Sequence, residues 1–269
     1  MIIVKFIYAI NLILNMPPVI QLKNVEKRFG KRKVLDGVDL QIDEGEIFGI
    51  IGMSGSGKST ILNTLIGFYE SEQGEILFYS YKDKKYKSAV KNVIELRKTF
   101  GFAAQDPSFY PKLTVEENLM HFGSLYKIPK KIIKENAKHL LELTELYDCR
   151  KQLAQSLSGG MERRLSIACS LIHNPMVLIL DEPIADLDPI RRKEMWNLIR
   201  ELHHKGKTII IASHFLEELE PICTKIAVLH DHKICSVGTM PQLKKYYNKS
   251  SLEEIFELIE KNKSKKEVN

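Results

Sequence analysis

Long apolar runs are missing from this 269-residue chain: nothing approaches the roughly 20 consecutive apolar residues that a membrane-spanning helix needs. The most apolar stretch, Met1 to Leu14, ends after 14 residues and includes a lysine. A signal-peptide core of that size would lead into a small-residue cleavage site, whereas here Met16 and the Pro17-Pro18 break follow. Residues 1–16 are therefore expected to be an extension outside the fold. The four cysteines, Cys149, Cys169, Cys223 and Cys235, show no C-x-x-C spacing and read as ordinary thiols in a reducing compartment. No internal repeat, low-complexity tract or sustained heptad pattern occurs. What remains is one domain with a subdomain, or two small domains.

Of the 269 residues, 44% are hydrophobic, enough for a self-sufficient core that buries roughly 70% or more of the unfolded surface. The formal charge of +6, from 40 basic and 34 acidic residues, is concentrated in Lys82 to Lys91 and Lys261 to Lys266. Such runs read as a solvated basic face, and no nucleic-acid partner is expected.

The most informative stretch is Gly52 to Thr60, GMSGSGKST, which fits G-x-x-x-x-G-K-[ST] with Gly52, Gly57, Lys58 and Ser59 at the fixed positions. An apolar run, Ile47 to Ile51, enters it and an apolar-periodic segment leaves it, the strand, loop and helix context that a phosphate loop needs. Residues without Cβ let successive N–H groups of Gly52, Ser54, Gly55, Ser56 and Gly57 turn toward a polyphosphate, and the following helix directs its positive end at the same anion. Lys58 can bring a charge to the outer phosphates, and the Ser59 hydroxyl, next to Thr60, can hold Mg²⁺. A guanine-reading Asn-Lys-x-Asp motif is absent, since Asn248-Lys249 continues into Ser250-Ser251.

Around this loop the pattern alternates. Val19 to Val25 and Val38 to Ile42 read as half-buried antiparallel strands, joined through a basic turn, Lys27 to Lys33, that exposes Phe29. Thr60 to Gly67 reads as a short helix closed by glycine, Glu75 to Tyr79 as a strand, and Lys82 to Lys91 as a surface excursion. Thr99 to Ala104 is a strand ending at Gln105. From there to about Leu157 the pattern is helical. Val115 to Tyr126 has Thr114 as its cap with Glu117 three residues on, and Lys130 to Leu146 aligns Ile133, Ala137, Leu140, Leu141 and Thr144 on one face. Beyond Met161 come strand Met176 to Leu180, helix Arg191 to His203, strand Thr208 to Ala212, helix Phe215 to Ile222 and strand Lys225 to His230. Ser251 to Glu260 is a last amphipathic helix. Continuous apolar strands separated by helices indicate a parallel sheet covered on both faces.

Ligands of an open parallel sheet sit at the carboxyl ends of its strands. Asp181 and Glu182 end one strand there, Asp181 suited to Mg²⁺ through water and Glu182 to orienting and deprotonating an attacking water. His214 ends the next strand and can donate to a γ-phosphate. Leu157-Ser158-Gly159-Gly160-Met161 opens a helix with a second anion cradle, which makes sense if it meets the nucleotide of another subunit.

Taken in order, Gly52 to Thr60, Gln105, Leu157 to Met161, Met176 to Glu182, Ala185 to Asp188 and His214 resemble the ATP-binding cassette (ABC) family: its Walker A, Q-loop, signature, Walker B, D-loop and switch histidine. The likeness spans Val19 to Gly238. It implies an α/β fold, a P-loop NTPase core with a parallel sheet, an antiparallel β subdomain and an inserted α-helical subdomain. The corresponding boundaries are 17–240 for the ATP-binding domain, about 106–160 for the helical subdomain, and 241–269 for a C-terminal helix and charged tail. It further implies ATP and Mg²⁺ as cofactors, Phe29 stacked on adenine, and Gln105 sensing Mg²⁺ and the membrane partner. Ser158 and Gly160, with Gly159 between them, would bind the γ-phosphate held by the opposite subunit. Lys58, Gln105, Glu182 and His214 are then the catalytic set, and Ser59, Gln105 and Asp181 the metal set.

Two positions depart from the family pattern. Met161 replaces the usual signature Gln, and Ala185 stands where the D-loop often carries Ser. Met161, the Gly-Met-Glu-Arg-Arg-Leu run and the Ser-Leu-Glu-Glu-Ile-Phe stretch resemble the drug- and antibiotic-exporter branch. Asp186 is also unusual in the D-loop, and the sequence supplies no chemistry for it. The resemblance implies the ATPase subunit of an exporter, peripheral on the cytoplasmic face of the membrane. Its partners would be membrane-spanning permease subunits and a second copy or paralogue of itself. The alternative is a soluble cassette ATPase in nucleic-acid, translation or iron–sulfur work. It fits less well, because repair members carry long coiled-coil insertions and translation factors carry two cassettes.

Overall fold

Alternation near the N-terminus produces two long antiparallel strands in the computed structural model, which describes residues 17–266 and the side chains of residues 17–261. The expected extension, residues 1–16, lies outside the described residues. Strand β1 (Ile20–Phe29) pairs with β2 (Arg32–Ile42), placing Ile20 opposite Ile42 and Leu22 opposite Leu40. The basic stretch Lys27 to Lys33 is not a broad turn. It continues both strands, with Phe29 paired to Arg32 across a tight turn at Gly30, whose φ of 60° suits glycine. Strand β3 (Ile47–Ile51) then enters the phosphate loop and α1 (Lys58–Leu65) leaves it. Strand β4 (Gln73–Ser80) pairs with the other side of β1, and β5 (Lys85–Ser88) pairs with β4, giving the order β2-β1-β4-β5. The lysine-rich excursion therefore contains a strand, whose order comes from its partner and not from apolar alternation.

Helix α2 (Val93–Thr99) leads into β6 (Phe100–Ala103), and the helical region follows as α3 (Val115–Leu125) and α4 (Lys130–Leu143). A 3₁₀ turn (Ala154–Ser156) precedes α5 (Gly159–Leu171). The remaining chain alternates: β7 (Val177–Asp181), α6 (Pro189–His204), β8 (Thr208–Ser213), α7 (Leu216–Leu219), β9 (Lys225–His230), β10 (Lys233–Gly238), α8 (Met240–Tyr247) and α9 (Leu252–Lys266). Helix α2, strand β10 and helix α8 are additions to the sequence reading, and the helix expected over Phe215 to Ile222 shrinks to one turn.

The second sheet runs β10-β9-β3-β8-β7-β6, parallel throughout except for β10 against β9. Every residue of β3, β7 and β8 is buried, as a sheet covered on both faces requires. Alternate residues divide between two cores. Phe48, Ile50, Ile179 and Ile210 pack with α1 and the antiparallel sheet, while Ile47, Ile51, Leu178 and Ile211 pack with α5 and α6. Each fully buried large apolar side chain contributes about 1.5–3 kcal/mol, so this central layer fixes where the loops at its carboxyl edge can lie. Leu252 and Ile255 of α9 join the second core. Among the described residues no helix is long and apolar enough to cross a membrane.

Candidate nucleotide site

Five buried residues of β3 deliver the chain to Gly52, where a Cβ would stand 2.6 Å from both the Leu229 carbonyl oxygen and Ser56 Oγ. At the far end of the loop Gly57 has φ 111° and caps α1, so the helix starts at Lys58, two residues ahead of the expected Thr60. A side chain at Gly57 would be strained by that φ and would approach the Val34 carbonyl to 2.9 Å. Between these two glycines the loop wraps the N-terminal end of α1.

Lys58 is almost fully buried, with Nζ donating to the carbonyls of Gly52 at 2.8 Å and Met53 at 3.2 Å and lying 3.7 Å from Glu182 Oε1. Burial lowers its pKa, against the pull of the Glu182 and Asp181 charges. Asp181, the last residue of β7, is pushed up by burial, while a hydrogen bond from the Ser59 hydroxyl works the other way. Its Oδ1 is buried without a hydrogen-bond partner. An unpartnered carboxylate oxygen beside the Ser59 hydroxyl suits a hard cation that takes oxygen ligands and needs few carboxylates, so these two residues fit Mg²⁺.

Glu182 turns out of the strand at φ 48°, its N–H donating to the Ala212 carbonyl at 2.9 Å. Its carboxylate is then fixed at both oxygens: the Ser213 hydroxyl donates to Oε2 at 3.0 Å, and His214 Nδ1 lies 2.9 Å from Oε1. Neighbouring ends of β7 and β8 thus hold the acid, the histidine and the Lys58 ammonium in one network.

These groups share a cavity of about 670 Å³ whose wall includes Phe29, Ser54, Gly55, Gly57, Lys58, Ser59, Thr60, Gln105, Glu182 and His214. Phe29 closes one end, 44% exposed, with its ring edge-on to Tyr69 at 5.1 Å and Lys27 Nζ 5.4 Å from its centroid. Gly52, Ser56 and Asp181 are not in the wall. Gly52 packs closely against the Leu229 carbonyl and Ser56 Oγ, and Asp181 is hydrogen-bonded to Ser59. Arg32 and Val34 do line the cavity and were not singled out from sequence. Their signal was the register of β2 against Phe29, which became readable only once both strands extend to the turn.

Ser158 and Gly160 lie elsewhere, in a separate hollow of about 260 Å³ shared with Arg164, Leu187 and Arg191. Ser158 caps α5 by position, yet its side chain makes no cap hydrogen bond, and Gly159 begins the helix with open space where a Cβ would stand. Within one chain the two anion cradles do not meet. In the turn after Glu182, Ala185 is buried, Asp186 takes φ 61°, and Asp188 caps α6 by accepting from the N–H groups of Ile190 and Arg191. Among the described residues no cluster of three or more His, Cys, Asp or Glu side chains is placed to hold a metal.

Comparison with known proteins identifies the family and the fold. The sequence model of the family described as "ABC transporter" matches residues 35–185. The linearmycin resistance ATP-binding protein LnrL of Bacillus subtilis is 33% identical over 224 residues, covering 83% of this chain and 70% of that protein. The methionine import ATP-binding protein MetN of Clostridium acetobutylicum is 37% identical over 233 residues, covering 86% and 72% respectively. A solved structure titled as the ATP-binding subunit of an ABC transporter superposes with a TM-score of 0.78 at 25% identity, covering 88% of this chain and 98% of that one.

Proposed function

The chain belongs to the ABC transporter family as an ATP-binding subunit and an ATPase, and from that premise we propose that it drives an exporter by closing over ATP together with a second ATPase subunit. Subunits of this kind serve membrane-spanning permeases. In this reading residues 17–240 are the ATP-binding domain, and the helical region at about 106–160 presents the surface on which the permease docks. The subunit then sits peripherally on the cytoplasmic face of the membrane.

The observation that carries the proposal is the network of Lys58, Glu182, Ser213 and His214 on the wall of the cavity. Lys58 is poised to exchange its contacts with the Gly52 and Met53 carbonyls for the outer phosphates of ATP, and Phe29 offers a face to adenine. Glu182, held at both oxygens, is oriented to take a proton from the attacking water, and His214 is placed to donate to the γ-phosphate. Mg²⁺, held by Ser59, Asp181 and Gln105, would neutralise charge developing on the phosphates. Likeness to LnrL, together with Met161 at the signature, supports export as the direction.

Two variants separate binding from turnover. Lys58→Ala is expected to lose ATP binding and hydrolysis together, because among the described residues the other cation on the cavity wall, Arg32, is exposed. Glu182→Gln is expected to keep ATP binding while phosphate release falls by roughly 100-fold or more. Equilibrium binding and phosphate release measured on the same preparations check both, and wild-type turnover in either variant rejects the assigned role.

A further inference from the structure

Arg163 lies on α5, about one helical turn after Ser158, and only 8% of it is exposed. Its Nη1 donates to the carbonyl of Gln105 and, at 3.2 Å, to that of Ala104. A side chain from the signature helix thus grips the backbone of the loop that brings Gln105 to the nucleotide cavity. Burial lowers the pKa of this guanidinium, and the charge that most opposes the shift is Asp186, ahead of Asp106 and Asp181. Asp186 occupies a left-handed turn position, φ 61°, which aspartate tolerates better than most residues. Asp186, the D-loop residue that the sequence could not explain, thus adds a favourable charge for this buried cation, which two carbonyls hold.

We propose that Arg163 is a positioning residue for Gln105, fixing the loop from the signature helix. The proposal rests on the reading that Gln105 acts at the nucleotide site. It adds a consequence: Ser158 and Arg163 share one stiff helix, so any displacement of the Ser158 turn also moves the group that orients Gln105 in the chain's own site.

A cycle of ATPase measurements on the full chain tests this, using Gln105→Ala, Arg163→Gln, their double variant and Arg163→Lys. Arg163→Gln is expected to lower kcat on the order of tenfold, as small misplacement of a reacting group does, while KM for ATP changes by less than about twofold. It should also raise the Mg²⁺ concentration needed for half-maximal rate. The decisive readout is coupling: if Arg163 acts through Gln105, the double variant is no slower than Gln105→Ala alone. Arg163→Lys, which keeps the charge and can reach one carbonyl, should recover part of the rate. Losses that multiply in the double variant, or wild-type kcat in Arg163→Gln, overturn the proposal. Wild-type behaviour of Gln105→Ala instead overturns the role of Gln105 itself, so the two failures are distinct. If Arg163→Gln does not fold, Arg163→Lys takes its place in the cycle, with a smaller loss of kcat expected that disappears in the Gln105→Ala background. Persistence of that loss counts against the clamp.

Discussion

At His173 a proton is strongly opposed. The ring stacks on Tyr126 with centroids 3.8 Å apart, Nε2 lies 3.2 Å from the Phe100 carbonyl, and Nδ1 is buried without a partner. Burial lowers its pKa from 6.5 to about 4, and the Lys207 charge pushes the same way. Between those values the unfolded chain binds a proton that the folded chain does not. Stability is therefore undiminished above pH 6.5 and falls as pH drops toward 4, by up to on the order of 3 kcal/mol. His173→Phe keeps a ring against Tyr126 and removes the titration. Urea unfolding of both proteins from pH 7 to pH 4 should show the difference between them shrinking or reversing as acid increases, and a constant difference would contradict the assignment. Sequence could not reveal His173, since its surroundings come from α2, β6 and the end of α3. Lys58, Glu182 and His214 were legible because chemistry fixes their spacing or their place at strand ends. Arg32, Val34 and Arg163 were not, because their contacts depend on strand register and helix packing.

Elements were most legible where the signal is local. Thr114 and Glu117 spell a capping box, and the structure closes both halves: the Thr114 side chain accepts from the Glu117 N–H at 3.2 Å, and Glu117 accepts from the Thr114 N–H at 2.8 Å. Thr114→Ala should destabilise the protein by about 1 kcal/mol, the usual cost of a lost N-cap. Because α3 lies away from the cavity, its ATP affinity should stay unchanged. Chemical denaturation together with an ATP titration checks both, and an unaltered unfolding midpoint would mean that other donors and acceptors replace the cap. The same box at Thr239 and Gln242 makes α8 legible in retrospect. Strands β5 and β10 carry no such cue. Lys85–Ser88 has no apolar alternation, and Lys233–Gly238 is an edge strand with only one face against the protein, so pairing decides both.

For the whole molecule, apolar runs and helices in alternation gave the fold class, but the order β10-β9-β3-β8-β7-β6 is a property of chain routing that no local pattern encodes. Routing also decides that the Ser158 turn opens into its own hollow, apart from the cavity that holds Lys58 and Glu182. If the Ser158 turn serves a γ-phosphate, that phosphate has to be presented by another subunit. Glu182→Gln with ATP and Mg²⁺ should therefore double its mass in light scattering, since the closed pair can no longer be reopened by hydrolysis. Ser158 makes no side-chain cap bond in its own helix, so Ser158→Arg can block that contact at little cost to α5. Added to the Glu182→Gln chain, it should hold the mass at that of one subunit while ATP still binds. A pair that forms equally well with Arg at position 158 would show that the two subunits meet through some other surface, and an ATP-loaded Glu182→Gln chain that stays single would remove the shared site altogether.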